Sequence, residues 1–326
     1  MMVSIFIPVY NGETYIARTL DCLLAQVHRD FEVLCVDDSS TDSSFSILQQ
    51  YASYDSRIKI FQKPNGGDVP HSWQFITPHI SGDFTLYMSQ DDLLEPDTLF
   101  RLVQRQQETN ADVVIPTVIW YKNGETIDSP YNHYGVNGNT KIILNGEEAF
   151  ALMIDYSISG FGIWRTSIVK SYPVVPRAFN SDEYSQRDWC SRCRTVAFSD
   201  ARFLYSQDNP QAITHQFTDK QIEASLTDSM VIRRAVELGI SDERLTRYAN
   251  DMYQRLWFHT MWFMIHRHTL TRQRRHFLCK LFSRAYQGMH RYITLTNWKY
   301  HYSSINLMFF WIIIVAKALM AKHAES

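Results

Sequence analysis

The sequence has little cysteine, and what it has is scattered. Five cysteines in 326 residues (Cys22, Cys35, Cys190, Cys193, Cys279) cannot build a disulfide framework, so a reducing, cytosolic setting is expected. Cys190-x-x-Cys193 has no second pair and no nearby histidine at zinc spacing, which argues against a four-ligand zinc site. No secretory leader is legible. The apolar run from Val3 to Val9 follows Met-Met directly, lacks a basic stretch before it, and ends in Pro8-Val9-Tyr10-Asn11. Repeats and low-complexity tracts are missing, and 45% hydrophobic against 20% charged residues excludes disorder for most of the chain. Helix-turn-helix, zinc-finger and RNA-binding signatures are also missing, so no nucleic-acid partner is expected. Acidic residues run out toward the end: from Met252 onward there is one, Glu325, against 11 Lys+Arg.

That last shortage divides the chain. Residues 1–215 carry 16 Lys+Arg and 26 Asp+Glu, whereas residues 216–326 carry 16 and 8, so the formal net charge of −2 describes neither part. The length allows one large α/β unit with an extension, or two modest domains.

The acidic part alternates strand and helix signals. Short apolar runs at 3–9, 31–36, 58–61, 84–88 and 112–121 read as strands. Helical spacing runs through 13–26 and 43–54. Such alternation predicts a largely parallel sheet with right-handed crossovers. From about residue 216 strand signals stop, and helices are expected over 219–238, 241–264 and 271–290. In parallel sheets ligands sit beyond the carboxyl ends of the strands. Asp37-Asp38 ends the second strand and Asp91-Asp92 follows the fourth. Carboxylates gathered at one sheet edge repel unless a cation or hydrogen-bond donor lies between them. Asp42, in Asp-Asp-Ser-Ser-Thr-Asp, reads as an ordinary helix-capping residue.

Five ordered segments resemble the family 2 glycosyltransferases of the GT-A fold. These are Val3 to Asn11 with Glu13; Asp30 to Asp42; Asn65-x-Gly67; Gly82 to Asp92; and Gly162 to Ser167, in order along the first half of the chain, within the 1–215 part. The resemblance implies an α/β GT-A domain over 1–215, with a mostly parallel central sheet, and an α-helical C-terminal extension over 216–326. It implies an inverting transfer from a nucleotide-sugar donor, with a hard divalent cation, Mg²⁺ or Mn²⁺. Pro8, Tyr10 and Asp38 match the family's base-cradling positions, and an Asp there suits a uracil or thymine imide N–H. Asp91 and Asp92 match the metal and ribose-phosphate positions, Asp91 also as a donor-binding residue. The family's usual first Asp of Asp-x-Asp is Ser89 here, and Ser39 stands where Gly is usual. The acidic pair near the acceptor is Asp182-Glu183, in reversed order, and either carboxylate is a candidate general base. A helix start with first-turn acids explains the same residues. His215 is a weaker candidate for a late metal ligand. A catalytically silent sugar-nucleotide or polysaccharide-binding module remains an alternative. A nucleotidyltransferase fits less well, because Tyr10-Asn-Gly-Glu-Thr is neither Gly-rich nor basic.

Residues 252–326 hold 7 of the 12 His and 4 of the 8 Trp beside their Lys+Arg. Ile305–Ala321 is 17 residues interrupted by Asn306 and Lys317, at the short end of the ~17–25 that span a bilayer. An interfacial segment on an anionic membrane is expected, with packing on protein or in a homo-oligomer as the alternative. The combined expectation is an enzyme peripheral on the cytosolic face of the inner membrane. Its expected acceptor is a saccharide, lipid-linked, in bacterial surface polysaccharide synthesis.

Overall fold

Alternate residues of the buried strands pack on opposite faces of one sheet. Ile5, Ile7, Val33 and Cys35 join a core with Leu20 and Leu23, while Phe6, Leu34 and Val36 join another with Trp73 and Trp189. The computed structural model describes residues 1–176, 178–210, 218–240 and 243–289. Two units group by contact: Met1–Pro176 with Ser185–Gln216, and Arg177–Tyr184 with the chain from Phe217 onward.

The first unit starts β1 (Val3–Val9), α1 (Ile16–Leu24), β2 (Phe31–Asp37), α2 (Ser44–Tyr54), β3 (Ile58–Gln62), α3 (Val69–Ile76) and β4 (Phe84–Tyr87). It continues β5 (Leu93–Leu94), α4 (Thr98–Thr109), β6 (Val113–Lys122), β7 (Glu125–Thr126), β8 (Ile143–Leu144) and α5 (Gly146–Ile154). The last elements are β9 (Ile163–Arg165), α6 (Thr166–Ser171), α7 (Ser181–Ser191), whose first four residues group with the other unit, and β10 (Val196–Ser206). The sheet order is β3-β2-β1-β4-β9-β6-β10-β5, with β7 on β6 and β8 on β10. The block β3-β2-β1-β4 and the pair β6–β10 are parallel, and β9 runs antiparallel between them. This is the mostly parallel sheet that the strand–helix alternation implies. Pro116 interrupts β6 without losing a strand, because the β6–β10 register shifts between Phe198 and Arg202 at that level.

Helix ends differ from the periodic reading where local hydrogen bonds, from backbone or side chain, decide them. Helix α1 begins at Ile16 rather than Glu13, because Tyr15 and Ile16 N–H both turn back to the Gly12 carbonyl. Helix α3 has no counterpart among the sequence-predicted helices. Asp68 caps it by accepting the His71 N–H, and Pro70 fits its first turn.

The second unit contains α8 (Ala224–Glu237), α9 (Glu243–His266) and α10 (Arg272–Met289). The segment 177–184 groups with these helices rather than with 1–176. Phe179 N–H donates to Glu223 (3.3 Å), and Thr227 Oγ1 donates to the Phe179 carbonyl (2.8 Å). Phe263 meets Phe282 edge-on at 5.5 Å between α9 and α10. Among the described residues no helix is long and apolar enough to cross a membrane. Ile305–Ala321, Arg291 and His215 lie outside the described residues.

Candidate active site

Strand β1 lies between β2 and β4, and from it the chain builds outward in both directions, so the gap beyond β1 and β4 is a topological switch point. Val9 O faces β2 and accepts the Asp38 N–H (2.8 Å), whereas Phe6 O faces β4 and accepts the Met88 N–H (3.2 Å). By that alternation Pro8 directs its nitrogen to the β4 side. The β1–β4 register ends at Phe6 and Tyr87, so the missing N–H of Pro8 removes no ladder bond. Strand β1 therefore outruns β4 and delivers Tyr10, 48% exposed, to the open edge.

The gap is bridged by a side chain. Tyr10 N–H donates to Gln90 Oε1 (3.0 Å), and Gln90 Nε2 donates back to the Tyr10 carbonyl (3.1 Å). Asn11 then turns through the left-handed region (φ 47°), and any Cβ at Gly12 would overlap the Gln90 carboxamide. Thr19 Oγ1 holds the Gln90 carbonyl at 2.8 Å.

Asp38, just past β2, is buried. Its Oδ1 takes the Lys63 ammonium and the Gly66 N–H (2.9 Å), and its Oδ2 accepts from Gly67 N–H (3.3 Å). A carboxylate has about four acceptor positions, so Oδ2 keeps capacity for a further donor. The same contacts hold the Pro64–Gly67 turn, just after β3, against the end of β2.

Asp91 and Asp92 are both buried but do different things. Asp92 Oδ2 accepts the Ser89 N–H (3.0 Å) and Oδ1 the Ser206 N–H (3.1 Å), tying the end of β4 to the end of β10. Burial first, and the Asp91 charge second, push the Asp92 carboxyl up to about 8. Burial also raises Asp91, against an Asn209 side-chain bond and the Arg18 charge. Arg18 binds Asp208 (2.9 Å) and the Asp91 carbonyl (3.3 Å). Burial alone would raise Asp208, but the Asn123 N–H and Arg18 outweigh it and hold it below the usual carboxylate range. Among the described residues, no group of three or more His, Cys, Asp and Glu is arranged to hold a metal.

The structure thus gathers Pro8, Tyr10, Asp38, Asp91 and Asp92 at one sheet edge. Asp182 and Glu183 lie half-buried in the first turn of α7, in the segment grouped with the second unit. Asn180, itself at φ 61°, opens that turn and its side chain reaches Glu183 Oε1 (3.4 Å). Cys190 and Cys193 are free, buried core thiols pushed up by desolvation. Three site residues escaped the sequence reading: Gln90, Lys63 and Arg18. A Lys directly after the third strand and an Arg one turn into the first helix were the only signals.

The glycosyl transferase family 2 model matches residues 4–168. The chain belongs to that family. The match runs from β1 through β9 and so includes Pro8, Tyr10, Asp38, Asp91 and Asp92, but not Ser206 and Asp208 at the end of β10. A Bacillus spizizenii poly(ribitol-phosphate) beta-glucosyltransferase is 35% identical over 35% of this chain and 19% of its own length. The Streptococcus pneumoniae glycosyltransferase GlyG is 27% identical over 41% and 43%. The chain therefore spans less than half the length of these relatives. Among solved structures, Staphylococcus aureus TarS 1–349 in complex with UDP superposes with a TM-score of 0.63 at 18% identity, covering 98% of this chain and 92% of that one. A Pyrobaculum calidifontis mannosyltransferase in complex with GDP-Man and Mn²⁺ gives 0.51 at 12%, covering 89% and 86%. These likenesses show the fold.

Proposed function

We propose that the chain is a metal-dependent, inverting glycosyltransferase that moves a sugar from a UDP- or dTDP-sugar to a saccharide acceptor in cell-surface polysaccharide synthesis. The observation that carries this is the switch-point edge, where an exposed Tyr10, a buried Asp38 with spare acceptor capacity, and Asp91 converge. Stacking of a base on Tyr10 contributes roughly 1–3 kcal/mol, by analogy with aromatic platforms for nucleic-acid bases. Asp38 accepts the imide N–H of uracil or thymine, which selects against cytosine. Relatives named for poly(ribitol-phosphate) glycosyl transfer, and a TarS complex with UDP-GlcNAc, support both the polymer acceptor and the uridine donor.

Asp91 is the residue suited to a cation, because its carboxylate is buried without a backbone donor from a neighbouring strand. Asp92 is committed to two amides. Mg²⁺ or Mn²⁺ fits this oxygen donor set, with phosphate oxygens and water completing the shell, and would neutralise the diphosphate as it leaves. Asp182 or Glu183 takes the acceptor proton, and one base without a second nucleophile gives a single inverting displacement. Residues 1–215 supply the catalytic domain and 216–326 the helical extension, whose basic part brings the protein to the cytosolic membrane face and a lipid-linked acceptor.

The test is a thermal-shift panel of nucleotide sugars with and without Mn²⁺. A donor at 100 times its dissociation constant adds about 2.7 kcal/mol of stability. No shift with any UDP- or dTDP-sugar overturns the donor assignment. Donor hydrolysis that needs Mn²⁺ and disappears in Asp91→Ala distinguishes an enzyme from a silent binding module.

A further inference from the structure

The outward face of α9 changes character along its length. Leu245, Met252, Leu256 and Phe263 face the other helices and are buried. On the opposite side the N-terminal half presents Arg247, Asp251 and Gln254 to solvent. One turn further on, the same line becomes Phe258 (55% exposed), Met261 (40%) and Ile265 (61%). A helix facing water throughout would keep its polar residues there. These three positions span about 10 Å of helix at 1.5 Å per residue, the scale of an interfacial contact.

The same end of α9 is cationic. Arg267 and His268 follow it immediately and are exposed, as are Arg275 and Lys280 on α10. Among the described residues Arg267, Arg275 and Lys280 have no carboxylate partner, and no Asp or Glu lies between Asp251 and Glu325 in the sequence. Arg274 is different, since it is held by Asp219 (2.5 Å) and Glu223 (2.7 Å) and so anchors the start of α10. The hairpin end is therefore pinned from within and offers apolar and positively charged groups outward.

We propose that the C-terminal half of α9 and the turn into α10 form a docking surface for an anionic lipid bilayer. Phe258, Met261 and Ile265 enter the headgroup–acyl boundary while Arg267 and Arg275 meet lipid phosphates. Charge selects this occupant: a bilayer rich in anionic headgroups matches a cationic rim without carboxylates, whereas a second copy would bring the same positive charge against it. This refines the membrane-facing part of the function proposed above but needs no transferase chemistry.

The experiment is co-sedimentation of the full chain with phosphatidylcholine vesicles, alone or with about 30% phosphatidylglycerol. The expected result is binding to the anionic vesicles only, weakened by high salt. Phe258→Ser with Ile265→Ser, and separately Arg267→Glu with Arg275→Glu, should each lower it about tenfold or more. Unchanged thermal midpoints of these variants show that the fold is intact. Three outcomes overturn the proposal. One is no preference for anionic vesicles. Another is wild-type binding by both double variants while Ile312→Asp with Ile314→Asp abolishes it, which assigns the contact to 305–321. The third is a dimer that Phe258→Ser with Ile265→Ser breaks without altering vesicle binding. Because vesicle binding is scored without any sugar nucleotide, its failure is separate from failure of the donor assignment.

Discussion

Gln90 completes the exit of β1 by exchanging two hydrogen bonds with the backbone of Tyr10, at 3.0 and 3.1 Å, across a gap that β4 is too short to fill. The carboxamide acts as one extra residue of β4. It fixes the distance between the Tyr10 turn and the acidic turn at 89–92. No Cβ fits at Gly12 while that carboxamide keeps its place.

Loss of this bridge should be read in nucleotide affinity. Two hydrogen bonds of about 1 kcal/mol each should make Gln90→Ala up to roughly thirtyfold weaker for the proposed nucleotide, UDP, by calorimetry. Gly12→Ala displaces the same carboxamide, so the double variant should lose clearly less than the two single losses added. Fully additive losses would show that the two residues act separately.

The bridge also marks what the sequence could not reveal. Asp38, Asp91 and Asp92 were legible because each sits directly after an apolar strand run, and strand ends in a parallel sheet share an edge. Gln90 was not, since its partner is 80 residues away and only the register of β1 on β4 brings them together. Lys63 was hidden for the same reason, paired with Asp38 across β2 and β3. The motif spacing also could not separate Asp91 from Asp92. That distinction comes from Ser206, a residue of β10 more than a hundred positions later.

Asp91 and Asp92 should separate experimentally. Asp91→Asn is expected to abolish any Mn²⁺-dependent gain in UDP affinity while leaving the denaturation midpoint nearly unchanged. Asp92→Ala leaves the Ser89 and Ser206 amides without acceptors in a buried place, at about 1–3 kcal/mol each, so urea unfolding should show a loss of ~2–5 kcal/mol. Equal stability losses for the two variants would contradict this division.

Lys63→Met tests the buried ion pair. Removing one partner of such a pair typically costs about 3–5 kcal/mol. Asp38 keeps the Gly66 and Gly67 amides, so the lower end, ~3 kcal/mol, is expected from chemical denaturation. Lys63→Met with Asp38→Asn should recover part of that loss, because no uncompensated charge then remains. A double variant less stable than Lys63→Met alone would mean that the charge on Asp38 stabilises the fold by itself.

The second unit carries its own pH dependence in His259. The imidazole is buried in α9, with Nδ1 2.9 Å from Ser225 Oγ of α8. Desolvation, and then the Arg255 charge, lower it from 6.5 to about 4. Between those values the unfolded chain binds a proton that the folded chain does not, so stability is full above pH 6.5 and falls as pH drops toward 4. The shift corresponds to a loss of at most ~3 kcal/mol across that window. Urea unfolding of the full chain, followed by tryptophan fluorescence at pH 7, 6 and 5, should show the decline beginning near pH 6.5. His259→Gln can keep a hydrogen bond to Ser225 but has no proton to gain, so its stability should stay nearly flat down to the range where carboxylates titrate. A variant that declines as steeply as the wild type between pH 6.5 and 5 would remove His259 as the cause.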